Sequence, residues 1–132
     1  MKGFSVSKVS ADIVEEHLNQ TGEINIGHDG YERSFFAISN GVSTAYAVIY
    51  DLYDEDDFAE LARFFVPLKY RNKGVGRKAA ILLLNYLFEI KTNLLIDPVD
   101  ETVDFWWAVA AEVGDSISFE SIDGPKAIWS KI

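Results

Sequence analysis

From Phe4 to Val9 apolar and polar residues alternate, the period of a half-buried strand. Ser10 offers an N-cap, and Ile13, Val14, His17 and Leu18 then recur at helical spacing, which predicts a helix over residues 11–20. Residues 21–31 carry Gly22, Gly27 and Gly30 with little periodicity and are expected to form a loop. Two runs rich in aromatic and β-branched residues follow, Arg33 to Ser39 and Val42 to Leu52. Asn40-Gly41 between them tolerates positive φ and predicts a two-residue type I′ hairpin turn. A turn at Asp54-Glu55-Asp56-Asp57 leads into a third antiparallel strand, Phe58 to Val66, stopped by Pro67, which cannot donate to a ladder. Strict alternation along that strand puts Glu60, Ala62, Phe64 and Val66 on one face and Arg63 on the other.

The second half changes period. Gly74 to Lys91 is expected to be a helix, with Val75, Ala79, Leu82, Leu83, Tyr86, Leu87 and Ile90 on its apolar face. Asn93 to Asp97 is a short buried strand. Asp100 and Glu101 suit a helix N-terminus, and Val103, Trp106, Trp107 and Ala110 keep helical spacing until Gly114 ends the segment. Ser116 to Ile122, the turn Asp123-Gly124-Pro125 and Ala127 to Ile132 predict a closing hairpin. The order is strand, helix, three meandering strands, helix, strand, helix, two strands. That order predicts a mixed α/β (α+β) fold, a mostly antiparallel central sheet flanked by helices. No internal repeat, low-complexity tract or linker interrupts it, so residues 1–132 are expected to form a single domain.

Composition narrows the chemistry. Of 132 residues 48% are hydrophobic, enough to bury a core without covalent staples. There is no cysteine, which excludes disulfides, zinc–thiolate sites and a cysteine nucleophile, and a cytoplasmic protein is expected. Met1 to Ser10 lacks the apolar core of a signal peptide, and the longest apolar stretches are too short to span a bilayer. A formal net charge of −9 disfavours a nucleic-acid backbone as partner and suits a cationic or neutral one. His17 lies in an apolar helical pattern and His28 among glycines, without a second ligand nearby, so no metal site is expected. Asp51 and the acidic turn are expected to be solvated, and Tyr46, Tyr50 and Tyr53 to pack on sheet faces.

The chemistry concentrates in Phe65-Val66-Pro67-Leu68-Lys69-Tyr70-Arg71-Asn72-Lys73-Gly74-Val75-Gly76-Arg77, which sets glycines and bases between a strand and a strong helix. Glycines let the backbone turn and approach a ligand, and the first N–H groups of a helix lack internal partners while its dipole favours an anion. A pyrophosphate meets those requirements. No Gly-Lys-Ser or Gly-Lys-Thr closes the motif, which excludes a Walker A loop. Gly74-Val75-Gly76-Arg77-Lys78-Ala79 does satisfy G-x-G-x-x-A, and Asp97 ends the next strand about twenty residues on, so a dinucleotide-binding domain is a rival reading. Against it, a whole basic loop separates strand from glycine, and an antiparallel meander precedes it.

Val66 through Gly76, with Arg71-x-x-Gly74-x-Gly76 opening a helix, resembles the signature of the GNAT (GCN5-related) N-acetyltransferase superfamily, and the element order over nearly the whole chain is similar to that fold. The resemblance implies an acyl-CoA cosubstrate, acetyl-CoA or a near relative, with no metal. Its pyrophosphate would rest on backbone N–H groups from Arg71, Asn72, Lys73, Gly74, Val75, Gly76 and Arg77, and its pantetheine arm would pair with exposed backbone near Phe65 and Val66. The resemblance further implies direct attack by an amine, from a small molecule or a protein, on the thioester. Glu60, eleven residues before Arg71, stands where the histone-acetylating branch carries a catalytic glutamate and is the candidate general base. Many members use the tyrosine of a Phe-Tyr pair to protonate the departing thiolate; here the pair is Phe105-Trp106, and an indole N–H donates a hydrogen bond but does not give up its proton. Trp106 and Trp107 are therefore expected to serve core and groove packing. A coenzyme-A-binding domain without transferase activity is the alternative that this replacement motivates.

Overall fold

In the computed structural model, which describes residues 3–21, 32–71, 74–98 and 100–132, seven strands join in one sheet. They are β1 (Ser5–Lys8), β2 (Arg33–Ser39), β3 (Thr44–Tyr50), β4 (Phe58–Phe65), β5 (Asn93–Ile96), β6 (Ile117–Asp123) and β7 (Lys126–Lys131). Helix α1 (Ala11–Thr21) follows β1, α2 (Val75–Leu87) follows β4, and α3 (Val103–Val113) follows β5 after a short 3-10 turn at Asp100–Thr102. The strands lie in the order β1-β2-β3-β4-β5-β7-β6, and every neighbouring pair is antiparallel except β4–β5. One parallel pair in a meander is not the doubly wound parallel sheet that a dinucleotide fold requires, so that rival falls. The loop expected over residues 21–31 lies, from Gly22 on, outside the described residues, as does His28.

Both faces of the sheet are covered at its centre. Ala79, Leu83, Leu84 and Leu87 of α2 and Val109 of α3 pack with Phe36, Ile49, Leu94 and Trp129 on one face. Each fully buried leucine there contributes on the order of 2 kcal/mol. On the other face Val14 of α1 meets Tyr46, Val48, Tyr50 and Phe65. Strand β3 is buried on both sides from Ala45 to Tyr50, which erases the alternation a half-buried strand shows. Tyr53 does not pack as Tyr46 and Tyr50 do: it is exposed, with the Lys8 ammonium 4.4 Å from its ring centre.

Two local expectations are corrected. Ser39 pairs with Thr44, so the β2–β3 connection has four residues rather than two. Asn40 builds it: its side-chain oxygen accepts the N–H groups of Val42 (2.9 Å) and Ser43 (2.8 Å), an Asx turn that outcompetes the tighter one, while Gly41 takes φ 90. The second correction concerns β4. Val48 pairs with Arg63 but Ile49 pairs with Leu61, so Ala62 is an extra residue, a β-bulge. The bulge reverses the alternation. Glu60, opposite Tyr50, and Arg63, opposite Val48, therefore share the α1 face, whereas Ala59, Leu61 and Phe64 turn towards α2 and α3.

Helix α2 stops at Leu87, four residues short of the expected Lys91, and the reason lies in that lysine. Lys91 is buried, and its Nζ donates to the carbonyl oxygens of Asp54 (2.7 Å) and Asp56. The acidic turn thus keeps its carboxylates in water but folds its backbone around an internal ammonium. Lys91→Met keeps the apolar stem and strands two carbonyls, so it should cost about 2 kcal/mol and lower Tm by roughly 5–10 °C. An unchanged thermal unfolding curve would show that the turn does not depend on this lysine.

Asp57 fastens the same turn to β5. Its Oδ1 accepts the backbone N–H of Thr92, and hydrogen bonds from Thr92 hold its carboxyl below the ordinary value of 3.8. A depressed folded value means that the carboxylate stabilises the fold above the ordinary Asp range and ceases to do so as pH falls through that lowered value. Urea titrations of Asp57→Asn should accordingly show a deficit against the parent at neutral pH that closes below about pH 4. A deficit independent of pH would assign the effect to packing.

Candidate functional site

The bulge also opens the sheet. Parallel pairing of β4 with β5 runs from Phe58↔Asn93 to Leu61↔Ile96 and ends there, while β4 continues to Phe65 against β3. The two strands diverge around a crevice of about 110 Å³ whose walls include Ala62, Phe64, Asp97, Pro98 and Trp106. Along this stretch β4 faces the crevice with an edge that β5 does not pair, so an extended chain carrying amides can hydrogen-bond there.

At its far end the crevice meets a larger groove of about 890 Å³, with Phe64, Phe65, Thr102 and Trp106 common to both. The groove runs between the end of β4, the start of α2 and the start of α3. Val66, Arg71, Gly74, Val75, Gly76 and Arg77 all line it, so the structure gathers these predicted residues in one place. Asn72 and Lys73 lie outside the described residues. Glu60 is not part of the groove or of the crevice wall; it lies on β4 before the bulge, beside Tyr50 and Leu95.

Gly74 is the N-cap of α2, with φ 73 and no side-chain cap for the helix. The first turn contains no acidic residue and carries Arg77 and Lys78, so orphan N–H groups, helix dipole and two cations combine at one point. Gly76 has a second reason to be glycine. A Cβ there would come 3.1 Å from Cε1 of Phe105 and 3.6 Å from Cγ2 of Val66, so the missing side chain lets α3 close on α2. Arg71 acts on the protein itself as well: its Nε donates to the Val66 carbonyl at 2.7 Å, fixing the loop to the end of β4. The other guanidinium N–H groups are directed by that anchor. Arg77 makes a 4.0 Å contact with Glu112, both half-exposed, a pair worth little.

Trp106 is 7% exposed and wedged among Phe64, Phe105 and Trp129, with ring centres 5.7, 5.2 and 6.0 Å away. The expected packing role holds for Trp106 but not for Trp107, which is 59% exposed. Lys78 and Thr102 in the groove are not among the residues expected there, and Asp97 in the crevice is expected only as the acidic residue of the rival dinucleotide fingerprint. Lys78 had a signal, a second cation in the first turn of the helix. Thr102 had none, and nothing local puts Asp97 beside β4, because the β4–β5 divergence that gives both a place is a long-range event. Among the described residues, no group of three or more His, Cys, Asp or Glu is placed to hold a metal, and no helix is long and apolar enough to cross a membrane.

Residues 7–102 match the model of the acetyltransferase (GNAT) family. Solved structures with the same fold include spermidine N-acetyltransferase from Vibrio cholerae in complex with CoA and spermine, 13% identical, covering 97% of this chain and 95% of that one with a TM-score of 0.67. The ribosomal-protein-S18-alanine N-acetyltransferase from Escherichia coli is 12% identical over 96% and 90%, TM-score 0.61. A Bacillus subtilis acetyltransferase in complex with CoA is 8% identical over 100% and 99%, TM-score 0.59. A search of curated proteins finds no match. The family match spans well over half of the chain: the chain belongs to the GNAT acetyltransferase family.

Proposed function

We propose that this protein transfers an acyl group, acetyl in the first instance, from coenzyme A to an amine. The observation that carries this reading is the continuity of the groove at the uncapped start of α2 with the crevice where β4 parts from β5. The first-turn N–H groups of α2, with Arg71, Arg77 and Lys78, suit a pyrophosphate, and the edge of β4 beyond Leu61, where its pairing with β5 ends, suits the amides of a pantetheine arm. That arm would bring the thioester to the crevice. There a neutral amine attacks the thioester carbonyl, the C–S bond breaks, and the amide nitrogen gives up a proton.

Glu60 is the proposed base for the ammonium, acting from the α1 face of β4 directly or through one water. A specific observation favours a second carboxylate: Asp97 lines the crevice itself, which Glu60 does not. Trp106 occupies the place of the usual acid and cannot supply a proton; a thiolate of ordinary pKa, about 8.5, can take one from water. The neighbouring structures include one bound to spermine and one named for a protein alanine, and a net charge of −9 suits a cationic amine such as a polyamine or a basic peptide.

The test is release of free thiol from acetyl-CoA in the presence of a panel of polyamines, amino acids and peptides. An amine-dependent rate well above the amine-free rate supports transfer. Tight coenzyme A binding with no turnover on any amine would favour the reading as a coenzyme-A-binding domain without transferase activity.

A further inference from the structure

A second cavity of about 110 Å³ lies beneath the start of α3, against β6 and β7, and neither the fold nor the proposed transfer uses it. Its walls are apolar and aromatic: Trp107, Phe119, Pro125 and Trp129 face it together with Pro98 and Trp106. Pro98 and Trp106 also line the crevice between β4 and β5. The two spaces therefore share one partition, made of a proline ring and an indole. The indole is not a swinging door, since three aromatic rings hold it edge to face and 7% of it is exposed.

We infer that Trp106 sets the length of the acyl group by separating the crevice from this apolar cavity. The inference rests on the acyl-transfer reading above and deepens it. A crevice of about 110 Å³ must hold the thioester end and admit the attacking nitrogen, which leaves room for a short acyl group and none for a long one. Among the described residues, apolar space for extra methylenes lies in this cavity, and the indole stands across the way to it. The chemical step is unchanged: the amine nitrogen bonds to the acyl carbon, the thiolate leaves with the electron pair of the C–S bond, and the nitrogen loses one proton.

The experiment compares acetyl-, butyryl-, hexanoyl- and octanoyl-CoA on the parent protein, by calorimetry for affinity and by thiol release for kcat/KM. A methylene that a pocket cannot seat costs about tenfold or more, so hexanoyl-CoA should be at least about 100-fold poorer than acetyl-CoA in kcat/KM and clearly weaker in affinity. Trp106→Leu keeps an apolar core residue but opens the partition; the hexanoyl-to-acetyl ratio of kcat/KM should rise at least about tenfold, a readout in which any change in affinity for the shared coenzyme A moiety cancels. Trp107→Ala enlarges the far cavity without touching the partition and should leave the ratio at the parent value. Equal affinity and turnover across the series in the parent protein overturns the inference even if Trp106→Leu fails to fold. A folded Trp106→Leu with the parent ratio overturns it too. Failure to bind coenzyme A at all is a different result, for it removes the transfer reading and this inference with it.

Discussion

Replacing Gly76 by Val should weaken coenzyme A binding by about a hundredfold or more while leaving the fold in place. Two effects act at once. A β-carbon at this position already meets Phe105 at 3.1 Å, so a branched side chain must push the ring, and with it the start of α3, away from the groove. The added methyl groups also stand where N–H groups of the first turn of α2 are proposed to meet the pyrophosphate. Gly74→Val reaches a similar loss by another route. Its Cβ would meet nothing within 4 Å, but φ 73 is the left-handed region, which a β-branched residue tolerates poorly, so the loop entering α2 must change course. Calorimetry with coenzyme A reads both variants, and thermal unfolding verifies that they are folded. Unchanged affinity in both would remove this loop from the binding site.

The largest kinetic effect is expected from one carboxylate. Glu60→Gln should lower kcat by about a hundredfold, typical of a lost general base, leave coenzyme A affinity unchanged and remove or move the acidic limb of the pH–rate profile. The bulge at Ala62 changes the surroundings of this residue from those its spacing suggested, because Arg63 shares its face. Asp97→Asn is therefore its necessary companion. If the drop appears in Asp97→Asn while Glu60→Gln keeps near-full activity, the crevice carboxylate is the base. Near-full activity with an unshifted profile in both would leave amine deprotonation to solvent.

How far the sequence reveals this protein depends on the range of the interaction concerned. The strand–helix order, the apolar face of α2 from Val75 to Leu87 and the described residues of the loop from Val66 to Arg77 are local patterns of period and residue type, and they are where the spacing put them, whereas Ile90 and Trp107, expected on apolar faces, are exposed. The bulge was legible in principle. Ala59 and Leu61 are two apart, yet the next residue on their face is Phe64, three further on, and that break in phase is the mark of an extra residue. The turn at Asn40 needed a side-chain hydrogen bond that competes with the tighter turn its Asn-Gly pair favours. The spacing carries the expected helix through to Lys91, and nothing in its neighbourhood along the chain shows that carbonyls of residues 54 and 56 close over that lysine. The crevice with Asp97 arises where residues 61–65 meet residues 96–106, and the partition made by Trp106 where the start of α3 meets β6 and β7, and no local pattern encodes either.

The central claim is that the groove at the start of α2 is built for coenzyme A, and competition observed by native mass spectrometry tests it most directly. The protein is mixed with equal amounts of acetyl-CoA and NAD in volatile buffer of low ionic strength, and the masses of the intact complexes are read. The account predicts one molecule of acetyl-CoA or coenzyme A per chain, lost as ionic strength is raised, and no NAD complex beyond the non-specific background. A dominant NAD complex, or a protein that carries neither ligand, would contradict it.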